Sequence, residues 1–324
     1  MTVPVLLMPG RMTEHVMESC KTRFDLVRLW EFDHPEHVLR RRAREVVAIA
    51  TAGGQPVDAR LMDKLPNLQI VACFGVGYDY VDVAEAARRS IVVTNTPDVL
   101  TDDVADTALG LLLMTIREMP QAERHLREGK WSSVPFRLAP TTLRGRTLGI
   151  LGLGRIGYAI AQRAEPFGVT IIYHNRSPKD VPYRYCSSLI EMARMVDTLI
   201  IATPGGPETR HLVDREVLHS LGSRGVLINV ARGSVVDEAA LIEALRSRVI
   251  LGAGLDVFEH EPHVPSSLLS LDNVVLLPHI GSASTKTRRA MGQLVIDNLV
   301  SWFEHGRTLS PVPETRGDPV LSPE

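Results

Sequence analysis

Two successive series of strand-like and helix-like segments run along the chain and restrict the folds that it can adopt. In the first series, short runs rich in β-branched residues predict strands at 3–8, 25–29, 46–51, 70–74 and 91–94, and helical spacing appears at 58–65 and 81–89. In the second series, strands are predicted at 148–151, 169–174, 198–202, 226–229, 250–256 and 274–277, with helices at 155–167, 214–220 and 238–246. Such alternation predicts parallel sheets covered by helices.

Two longer helical stretches are predicted to join the two series. One begins near Thr101, with Asp102 and Asp103 in its first turn, where acidic side chains favour the helix dipole. The other covers 284–305. We therefore predict an α/β fold of two doubly wound parallel-sheet domains, in which a Rossmann-type nucleotide domain (98–286) is inserted into a flavodoxin-like substrate domain (1–97 and 287–324). The polar, proline-containing tail, 310–324, is expected to be a loose extension.

Charge and composition argue against several classes of partner. The 324 residues carry a formal net charge of −2, so neither a basic face nor a nucleic-acid partner is expected. The first residues are interpreted as a buried strand, not a signal peptide, and the longest apolar run, 108–116, is too short to cross a bilayer. We therefore expect no membrane partner. Cys20, Cys73 and Cys186 lack paired spacing, so we expect reduced thiols and a cytoplasmic protein. No metal site is expected, and His34 and His37 are assigned to a loop or helix start.

A glycine-rich turn follows the first strand of the second series. Gly152, Gly154 and Gly157 form GxGxxG between a predicted strand and a predicted helix. Gly152 permits the tight turn, Gly154 lets the backbone approach a pyrophosphate, and Gly157 lets the helix pack on the strand. A lone GxGxxG also occurs in ordinary turns, but the flanking elements here have the lengths that favour dinucleotide binding.

The end of the next strand distinguishes between the two nicotinamide cofactors. An NAD site usually carries an acid there, which accepts hydrogen bonds from the ribose hydroxyls. Here the strand ends in YHNRS, and the next acid is Asp180. Arg176 and the Ser177 hydroxyl would hold a 2′-phosphate, which predicts NADP as the preferred cofactor and NAD as the alternative. The competing interpretation is that Arg176 is only a solvated residue at a strand end.

Three charged segments follow predicted strands in the second half of the chain. Arg232 lies in NVARGS, Asp256 begins DVFEHEP with Glu259 and Glu261, and His279 lies in LLPHIGS. These positions are at the edge where doubly wound sheets bind ligands. Reduction of a 2-keto acid needs a proton donor such as histidine, a carboxylate that orients it, and an arginine for the substrate carboxylate. Glu261 is the predicted partner of His279, and Glu259 is a rival for that role.

Each of these residues also has an ordinary structural interpretation. Arg232 alone would be a surface cation, and Glu261 alone would be a loop acid before Pro262. His279 alone would be a capping or core histidine. Their combination with the glycine turn favours a catalytic site.

With these motifs, the chain resembles the D-isomer-specific 2-hydroxyacid dehydrogenase family over nearly its whole length. GLGRIG, NVARGSVVDEAAL, the 256–261 stretch and LLPHIGSAS occur in the order typical of that family. The resemblance implies a nicotinamide-dependent oxidoreductase in which Arg232 binds substrate, Glu261 pairs with His279, and His279 is the catalytic acid/base beside substrate and cofactor. Asp256 resembles the aspartate near the nicotinamide. Further cofactor contacts are implied for Thr107, Arg155, Ile156, Asn175, Thr203, Pro204, Val230 and Gly281.

The N-terminal half adds an expectation about the substrate. CFGVGYDYVDV resembles the loop whose backbone amides bind the substrate carboxylate, which implicates Val76 and Gly77. NTPDVLTDDVADTALGLLL is most similar to the glyoxylate and hydroxypyruvate reductase branch, so we expect these small keto acids as substrates. The stretch 74–80 contains no cation and one acid, Asp79, so a phosphorylated acid would meet little compensating charge. Its aromatic residues either close the pocket or pack in the core.

Other members of the family remain as alternatives. D-3-phosphoglycerate dehydrogenase and D-lactate dehydrogenase are the rival enzymes, and dinucleotide-binding corepressors are a rival class without turnover. A homodimer is also expected, because an apolar helix from Thr101 is followed by Trp131 and Phe136. Arg137 interrupts a stretch that is usually more apolar in the family.

Overall fold

The structure is a computed structural model that describes residues 3–53 and 55–316. Its strands are β1 (Val5–Met8), β2 (Asp25–Arg28), β3 (Val46–Thr51), β4 (Ile70–Cys73), β5 (Val92–Thr94), β6 (Thr147–Leu151), β7 (Thr170–His174), β8 (Arg184–Tyr185), β9 (Thr198–Ile201), β10 (Val226–Asn229), β11 (Gly252–Leu255) and β12 (Val274–Leu276). Its α-helices are α1 (Glu14–Lys21), α2 (Pro35–Arg42), α3 (Ala59–Asp63), α4 (Val83–Arg88), α5 (Thr101–Ile116), α6 (Met119–Arg127), α7 (Arg155–Ala164), α8 (Leu189–Met195), α9 (Arg215–Leu221), α10 (Glu238–Arg246), α11 (Ser266–Leu269) and α12 (Thr285–His305).

The chain divides into two compact units. Unit 1 comprises Met1–Leu100 and Ser284–Glu324, and unit 2 comprises Thr101–Ala283. Unit 2 is thus an insertion in unit 1, with boundaries three residues from the expected ones at both junctions. The N-terminal boundary is the start of α5, and the C-terminal boundary is Ser284, whose side chain accepts from the Thr287 amide and caps α12.

Unit 1 contains a parallel sheet in the order β2-β1-β3-β4-β5. This is the flavodoxin-like order that the sequence predicted. Its core is formed by apolar side chains of the strands and of the helices and loops that cover them, and Val312 from the C-terminal segment joins it. Fully buried strands such as β4 are apolar throughout because parallel sheets are covered on both faces.

Unit 2 contains a parallel sheet in the order β12-β11-β10-β9-β6-β7-β8. The strand order reverses between β6 and β9, which is the switch point where ligands bind in doubly wound sheets. The predicted fold of two doubly wound parallel-sheet domains is therefore confirmed. The short edge strand β8 was not predicted, because two residues carry no periodic signal.

Several element ends differ from the expected ones for local reasons. The helix predicted at 155–167 ends at Ala164 and continues as a 3₁₀ turn, Glu165–Phe167, because Pro166 has no N–H to donate. The strand predicted at 250–256 begins at Gly252. A Cβ at Gly254 would lie 2.8 Å from the Thr115 hydroxyl, so this glycine lets α5 cross closely over β11.

The C-terminal segment is not the loose extension that we expected, as far as residue 316. Pro311 bridges to Thr94, and the Val312 amide donates to the Val93 carbonyl at 2.9 Å. Thr315 is 8% exposed, and its hydroxyl accepts from the Val93 amide at 3.0 Å. These contacts extend the edge of the unit 1 sheet, and residues 317–324 of the expected tail lie outside the described residues.

Helix α5 buries its apolar face within unit 2. Its buried residues are Val104, Ala105, Ala108, Leu109, Leu111, Leu112 and Ile116, and it packs against α7 and the sheet strands β10–β12. The exposed apolar surface instead follows this helix, where Leu126, Trp131 and Leu138 are 57, 67 and 94% exposed. The apolar helix from Thr101 is therefore largely buried within unit 2, and the exposed apolar surface lies on the segment that contains Trp131. Across 3–53 and 55–316, none of the helices combines the length and hydropathy needed to cross a membrane.

Two glycine substitutions in unit 2 test whether the close contact of α7 with its preceding turn limits stability. A Cβ at Gly157 would lie 2.3 Å from the Gly152 carbonyl oxygen. We expect Gly157→Ala to lower the free energy of unfolding by about 1–3 kcal/mol, as overpacking does in well-packed cores. Urea unfolding followed by circular dichroism measures it.

The matched control is Gly110→Ala in α5. Among the described residues, no heavy atom outside the local backbone lies within 4 Å of a Cβ at Gly110. Since alanine favours helix interiors over glycine by about 0.8–1.0 kcal/mol, this variant should be as stable as wild type or more so. Equal midpoints for the two variants would contradict the packing argument.

Candidate active site

The turn between β6 and α7 requires glycine at two of its three motif positions. Gly152 has φ of 95°, and a Cβ there would lie 2.6 Å from the Thr203 backbone nitrogen. Gly157 packs on the Gly152 carbonyl, as described above. The turn therefore packs against the backbone of Thr203, just after the end of β9, and the next residue, Pro204, is exposed.

The third motif glycine leaves space at the start of the helix. Gly154 is the N-cap of α7, and among residues 3–53 and 55–316 no side chain caps this end and no atom lies within 4 Å of a Cβ at Gly154. The first-turn amides of Arg155, Ile156 and Gly157 have no intrahelical acceptor, as at any helix N-terminus. Donors and open space of this kind fit a dinucleotide pyrophosphate.

The end of β7 is tied to the glycine turn. The Asn175 side-chain oxygen accepts from the Leu153 amide at 2.7 Å, and its carbonyl accepts from the Tyr185 hydroxyl at 3.2 Å. Arg176 is 92% exposed at this edge, with Nη1 donating to Glu208 Oε2 at 3.1 Å. Ser177 is also exposed. Asn175 thus shapes the turn, while Arg176 and Ser177 are accessible to a ligand.

The three charged segments of the second half meet at one edge of the unit 2 sheet. Parallel strands β10, β11 and β12 are neighbours in register, and they end at Asn229, Leu255 and Leu276. Arg232, Asp256 and His279 follow these ends. Val230, 9% exposed, follows β10 directly.

His279 and Glu261 form a direct pair. His279 Nδ1 lies 2.6 Å from Glu261 Oε2, and Glu261 Oε1 accepts from the Phe258 amide at 3.0 Å. Because a carboxylate can only accept, Nδ1 is the donor, and Nε2 is left for other chemistry. The side chains are 46 and 34% exposed, so the pair is accessible.

The rival carboxylate, Glu259, has different partners. Its Oε1 accepts from Arg210 Nη2 and from His211 Nε2, both at 2.8 Å. Neighbouring acids of one turn therefore bind two different histidines, His211 and His279. The distances favour Glu261 over Glu259 as the partner of His279.

The Glu261 carboxylate is held in its ionised form. Burial by itself would raise the pKa of Glu261, but the hydrogen bond and charge of His279, the Phe258 amide and the charge of Arg232 together lower this pKa below its ordinary value. Glu261 is therefore a carboxylate at neutral pH, and its Oε2 accepts from His279 Nδ1.

The backbone around Arg232 is braced by a side chain of β10. The Asn229 side chain donates to the Arg232 carbonyl at 2.9 Å and accepts from the Ala231 amide at 3.0 Å. Arg232 Nη1 donates to the Ala231 carbonyl at 2.8 Å. The charge of Arg232 is one of the causes that lower the pKa of Glu261.

Asp256 organises the backbone beside His279. Its two carboxylate oxygens accept from the amides of Ile280 and Gly281 at 2.7 and 2.8 Å, and its carbonyl accepts from the His279 amide at 2.9 Å. Asp256 is 1% exposed, and burial raises the pKa of Asp256 although the two amides oppose this shift. The Thr107 hydroxyl donates to the Asp103 carbonyl at 2.9 Å and lies 3.5 Å from the Gly281 carbonyl.

In unit 1, the loop after β4 has a defined backbone. The Asn95 side chain donates to the Val76 carbonyl at 2.8 Å, and the Thr96 amide donates to the Gly75 carbonyl at 2.9 Å. In the described part of the chain, the amides of Val76 and Gly77 donate no hydrogen bond. Backbone amides in such a loop can bind an anion without a side-chain charge.

The aromatic residues of this loop pack mostly inside unit 1. Phe74 is 6% exposed, Tyr78 and Tyr80 pack against the unit 1 core, and the Tyr78 hydroxyl lies 3.1 Å from Glu314. The Arg288 guanidinium lies 5.7 Å from the centre of the Phe74 ring. Sequence reasoning missed this cation because Arg288 belongs to α12, far along the chain, and no motif links it to the loop. Arg210 and His211 were missed for the same reason.

The chain is similar to known proteins over nearly its whole length. The profile of the family described as "D-isomer specific 2-hydroxyacid dehydrogenase, NAD binding domain" matches residues 109–281. A glyoxylate/hydroxypyruvate reductase A of Arabidopsis thaliana is 46% identical over 311 residues, covering 95% of this chain and 98% of the relative. A hydroxyphenylpyruvate reductase of Plectranthus scutellarioides is 44% identical, covering 95% and 98%.

A solved structure is similar over both units. The NADPH-dependent glyoxylate/hydroxypyruvate reductase of Sinorhizobium meliloti, in complex with NADP and malonate, is 53% identical, with a TM-score of 0.93 and coverage of 97% of this chain and 98% of that one. With a family profile over more than half of its residues and relatives of this identity over nearly their full length, the chain belongs to the D-isomer-specific 2-hydroxyacid dehydrogenase family.

Proposed function

We propose that the protein reduces small 2-keto acids, glyoxylate and hydroxypyruvate first, to 2-hydroxy acids with NADPH. The observation that carries this proposal is the 2.6 Å contact between His279 Nδ1 and Glu261, at the edge of the unit 2 sheet where Arg232 also follows a strand. A histidine held by an ionised carboxylate is a proton donor for a carbonyl oxygen. An arginine at the same edge binds a carboxylate.

The residues of unit 2 divide the chemistry between them. When bound, the nicotinamide supplies the hydride that reaches C2 of the keto acid. His279 donates a proton from Nε2 to the carbonyl oxygen, while Nδ1 stays on Glu261 and keeps the ring oriented. Arg232 binds the substrate carboxylate and polarises the carbonyl. Asp256 holds the amides of Ile280 and Gly281, and so fixes the backbone that carries His279.

The proposal for Val76 and Gly77 rests on their own loop. Their amides are donors in a loop of defined shape, and the resemblance to the family assigns them to the substrate carboxylate. Backbone donors would recognise a carboxylate without a side-chain charge.

The names of similar proteins support small keto acids as the substrate class. Relatives are named glyoxylate/hydroxypyruvate reductase and glyoxylate reductase. A relative named hydroxyphenylpyruvate reductase makes a keto acid with an aromatic group the second candidate. The charge argument against phosphorylated acids is weaker than the sequence suggested, because Arg288 lies over Phe74. A D-3-phosphoglycerate or D-lactate type of substrate therefore belongs in the test.

The cofactor proposal is NADP, with NAD as the alternative. Arg176 and Ser177 are exposed at the end of β7, where a 2′-phosphate would lie. The similar structure from Sinorhizobium meliloti is described as NADPH-dependent and in complex with NADP. Glu208 pairs with Arg176 and would have to release it on binding of the phosphate.

We also propose a homodimer and a cytoplasmic location. The exposed apolar residues Leu126, Trp131 and Leu138 lie on the segment after α5, and such surface usually marks an interface. Arg137, which interrupts this segment, donates to Glu118 at 2.7 Å, so its charge is paired. The cysteines Cys20, Cys73 and Cys186 are buried free thiols, as expected in a reducing compartment.

The substrate proposal is tested by steady-state kinetics with NADPH. Glyoxylate, hydroxypyruvate, hydroxyphenylpyruvate, pyruvate and 3-phosphohydroxypyruvate are compared under one set of conditions. We expect the highest kcat/KM for glyoxylate or hydroxypyruvate. A phosphorylated acid that wins by about tenfold, or 1.4 kcal/mol of transition-state binding, would refute the small-substrate proposal. NADPH binding without turnover of any acid would favour the corepressor class.

His279→Ala tests the assignment of the proton donor. Loss of the imidazole removes the proton donor and should lower kcat by about 10²-fold or more. NADPH should still bind, because the glycine turn and the end of β7 hold most of the cofactor. Fluorescence titration with NADPH is the control. Turnover within a few-fold of wild type would remove His279 from the mechanism.

Arg176→Ala tests the cofactor preference. Loss of the guanidinium should lower kcat/KM for NADPH by about tenfold, since a charge-assisted hydrogen bond contributes about 1.5–3 kcal/mol, and leave NADH nearly unchanged. Glu208→Gln is the matched control, which frees Arg176 and should retain the preference. A wild-type enzyme that already prefers NADH would show that the strand-end argument is wrong.

Sedimentation velocity tests the dimer. We expect a dimer at micromolar concentration, and a double substitution Trp131→Ser with Leu138→Ser should weaken it, because both side chains are exposed and apolar. Exposed Leu309→Ser in unit 1 is the control. A wild-type monomer would exclude the proposed interface.

A further inference from the structure

A second histidine–carboxylate pair lies on the same turn as the proposed acid/base pair. Glu259 accepts from His211 Nε2 and Arg210 Nη2, both at 2.8 Å, and is 12% exposed, so it is more buried than Glu261. The mechanism above uses neither Glu259 nor His211. Their close contact therefore needs another explanation.

The turn 258–261 is held from two sides by backbone and side-chain contacts. A Cβ at Gly233 would lie 1.9 Å from the Phe258 carbonyl carbon, so the residue after Arg232 packs backbone to backbone on this turn. The Glu259 amide donates to Glu238 Oε2 at 3.2 Å, and Glu238 begins α10. The turn that carries Glu261 is thus built directly onto the segment that carries Arg232.

His211 completes the arrangement from the loop before α9. Its amide donates to the Ser234 carbonyl at 2.8 Å, so this loop binds both the 232–235 segment and Glu259. His211 and His279 have φ of 51° and 54°, in the left-handed region that non-glycine residues avoid. A non-glycine residue keeps a left-handed backbone only where contacts with its surroundings hold it there. Each of these histidines is held by a carboxylate of the 258–261 turn, His211 by Glu259 and His279 by Glu261.

We propose that Glu259, held by His211 and Arg210, is a positioning residue that fixes the 258–261 turn so that Glu261 meets His279 in the productive geometry. The proposal rests on the proposed function, because Glu261 and His279 are its acid/base pair. Glu259 touches neither substrate nor cofactor in this account. It acts through the four-residue backbone segment from Phe258 to Glu261, which contacts Gly233 and Glu238.

Charge at this turn is balanced across the elements that pack on it. Arg210 and His211 come from the loop before α9, Glu238 from α10, and Arg232 from the loop after β10. Burial by itself would raise the pKa of Glu259, but His211 and Arg210 outweigh it and lower this pKa. Glu259 is therefore an ionised anchor at neutral pH, and neutral substitutes should hold the turn less firmly.

Two kinds of measurement separate positioning from simple stabilisation. In steady-state assays with the preferred acid and NADPH, Glu259→Ala should lower kcat by about 10- to 100-fold, the loss typical of a misplaced catalytic group, with little change in KM for NADPH. Glu259→Gln keeps one acceptor oxygen and should lie between wild type and Glu259→Ala. His211→Asn, which tolerates left-handed backbone, should lower kcat in the same way.

Nitrogen NMR of the histidine rings reports on the pair without turnover. In ¹⁵N-histidine-labelled protein, the His279 signals are assigned by comparison with His279→Asn. In wild type, the neutral ring should carry its proton on Nδ1, which faces Glu261. In Glu259→Ala and His211→Asn, a second tautomer should appear, because Glu261 is no longer held against Nδ1.

The control is Glu243→Ala, which removes an exposed acid of α10 paired with Arg215 in the same unit. It should leave kcat and the His279 tautomer as in wild type. If Glu259→Ala and His211→Asn lower only the unfolding midpoint and leave both readouts unchanged, the positioning role is refuted. If wild type has no reductase activity, the proposed function fails, while the tautomer comparison still decides whether Glu259 positions the pair.

Discussion

The parallel pairing of β10, β11 and β12 is the constraint on which the candidate site depends. Because the three strands run in the same direction and in register, the segments after them leave at one edge of the sheet. Arg232, Asp256 and His279 are far apart in the chain, yet each follows the end of one of these strands. The sheet topology therefore places the three segments together, and the local sequence determines which side chains they contribute to the site.

Two carboxylates near this edge have different tasks because their surroundings differ. Asp256 is almost fully buried, and both of its oxygens accept backbone amides, so it holds the chain around His279. Glu261 is more exposed, and one of its oxygens reaches the imidazole. Burial raises the pKa of Asp256, whereas His279 and its neighbours lower that of Glu261. The same chemical group, a carboxylate, thus holds the backbone at Asp256 and is the ionised partner of a histidine at Glu261.

Close backbone contacts explain why glycine stands at positions that no side chain can occupy. Gly152 packs on Thr203, Gly157 on Gly152, and Gly233 on Phe258. The first two contacts shape the turn that fits a pyrophosphate, and the third joins the Arg232 segment to the turn of Glu261. At these positions glycine allows two backbone segments to come into contact. This contact offsets the entropy that glycine loses on folding.

The sequence by itself determined the alternation of strands and helices and the glycine turn, and it predicted the insertion of one domain in another and a site of Arg232, Glu261 and His279. These features give local or periodic signals, which can be recognised in the sequence without knowledge of the fold. Only the tertiary structure decided that Glu261 binds His279 while Glu259 binds His211, that Arg288 lies over Phe74, and that residues up to 316 pack along the unit 1 sheet. The physical reason is that these contacts join residues tens to hundreds of positions apart, or choose between two acids of one turn. Such a choice depends on distances in the folded chain, and the order of residues along the chain does not contain them.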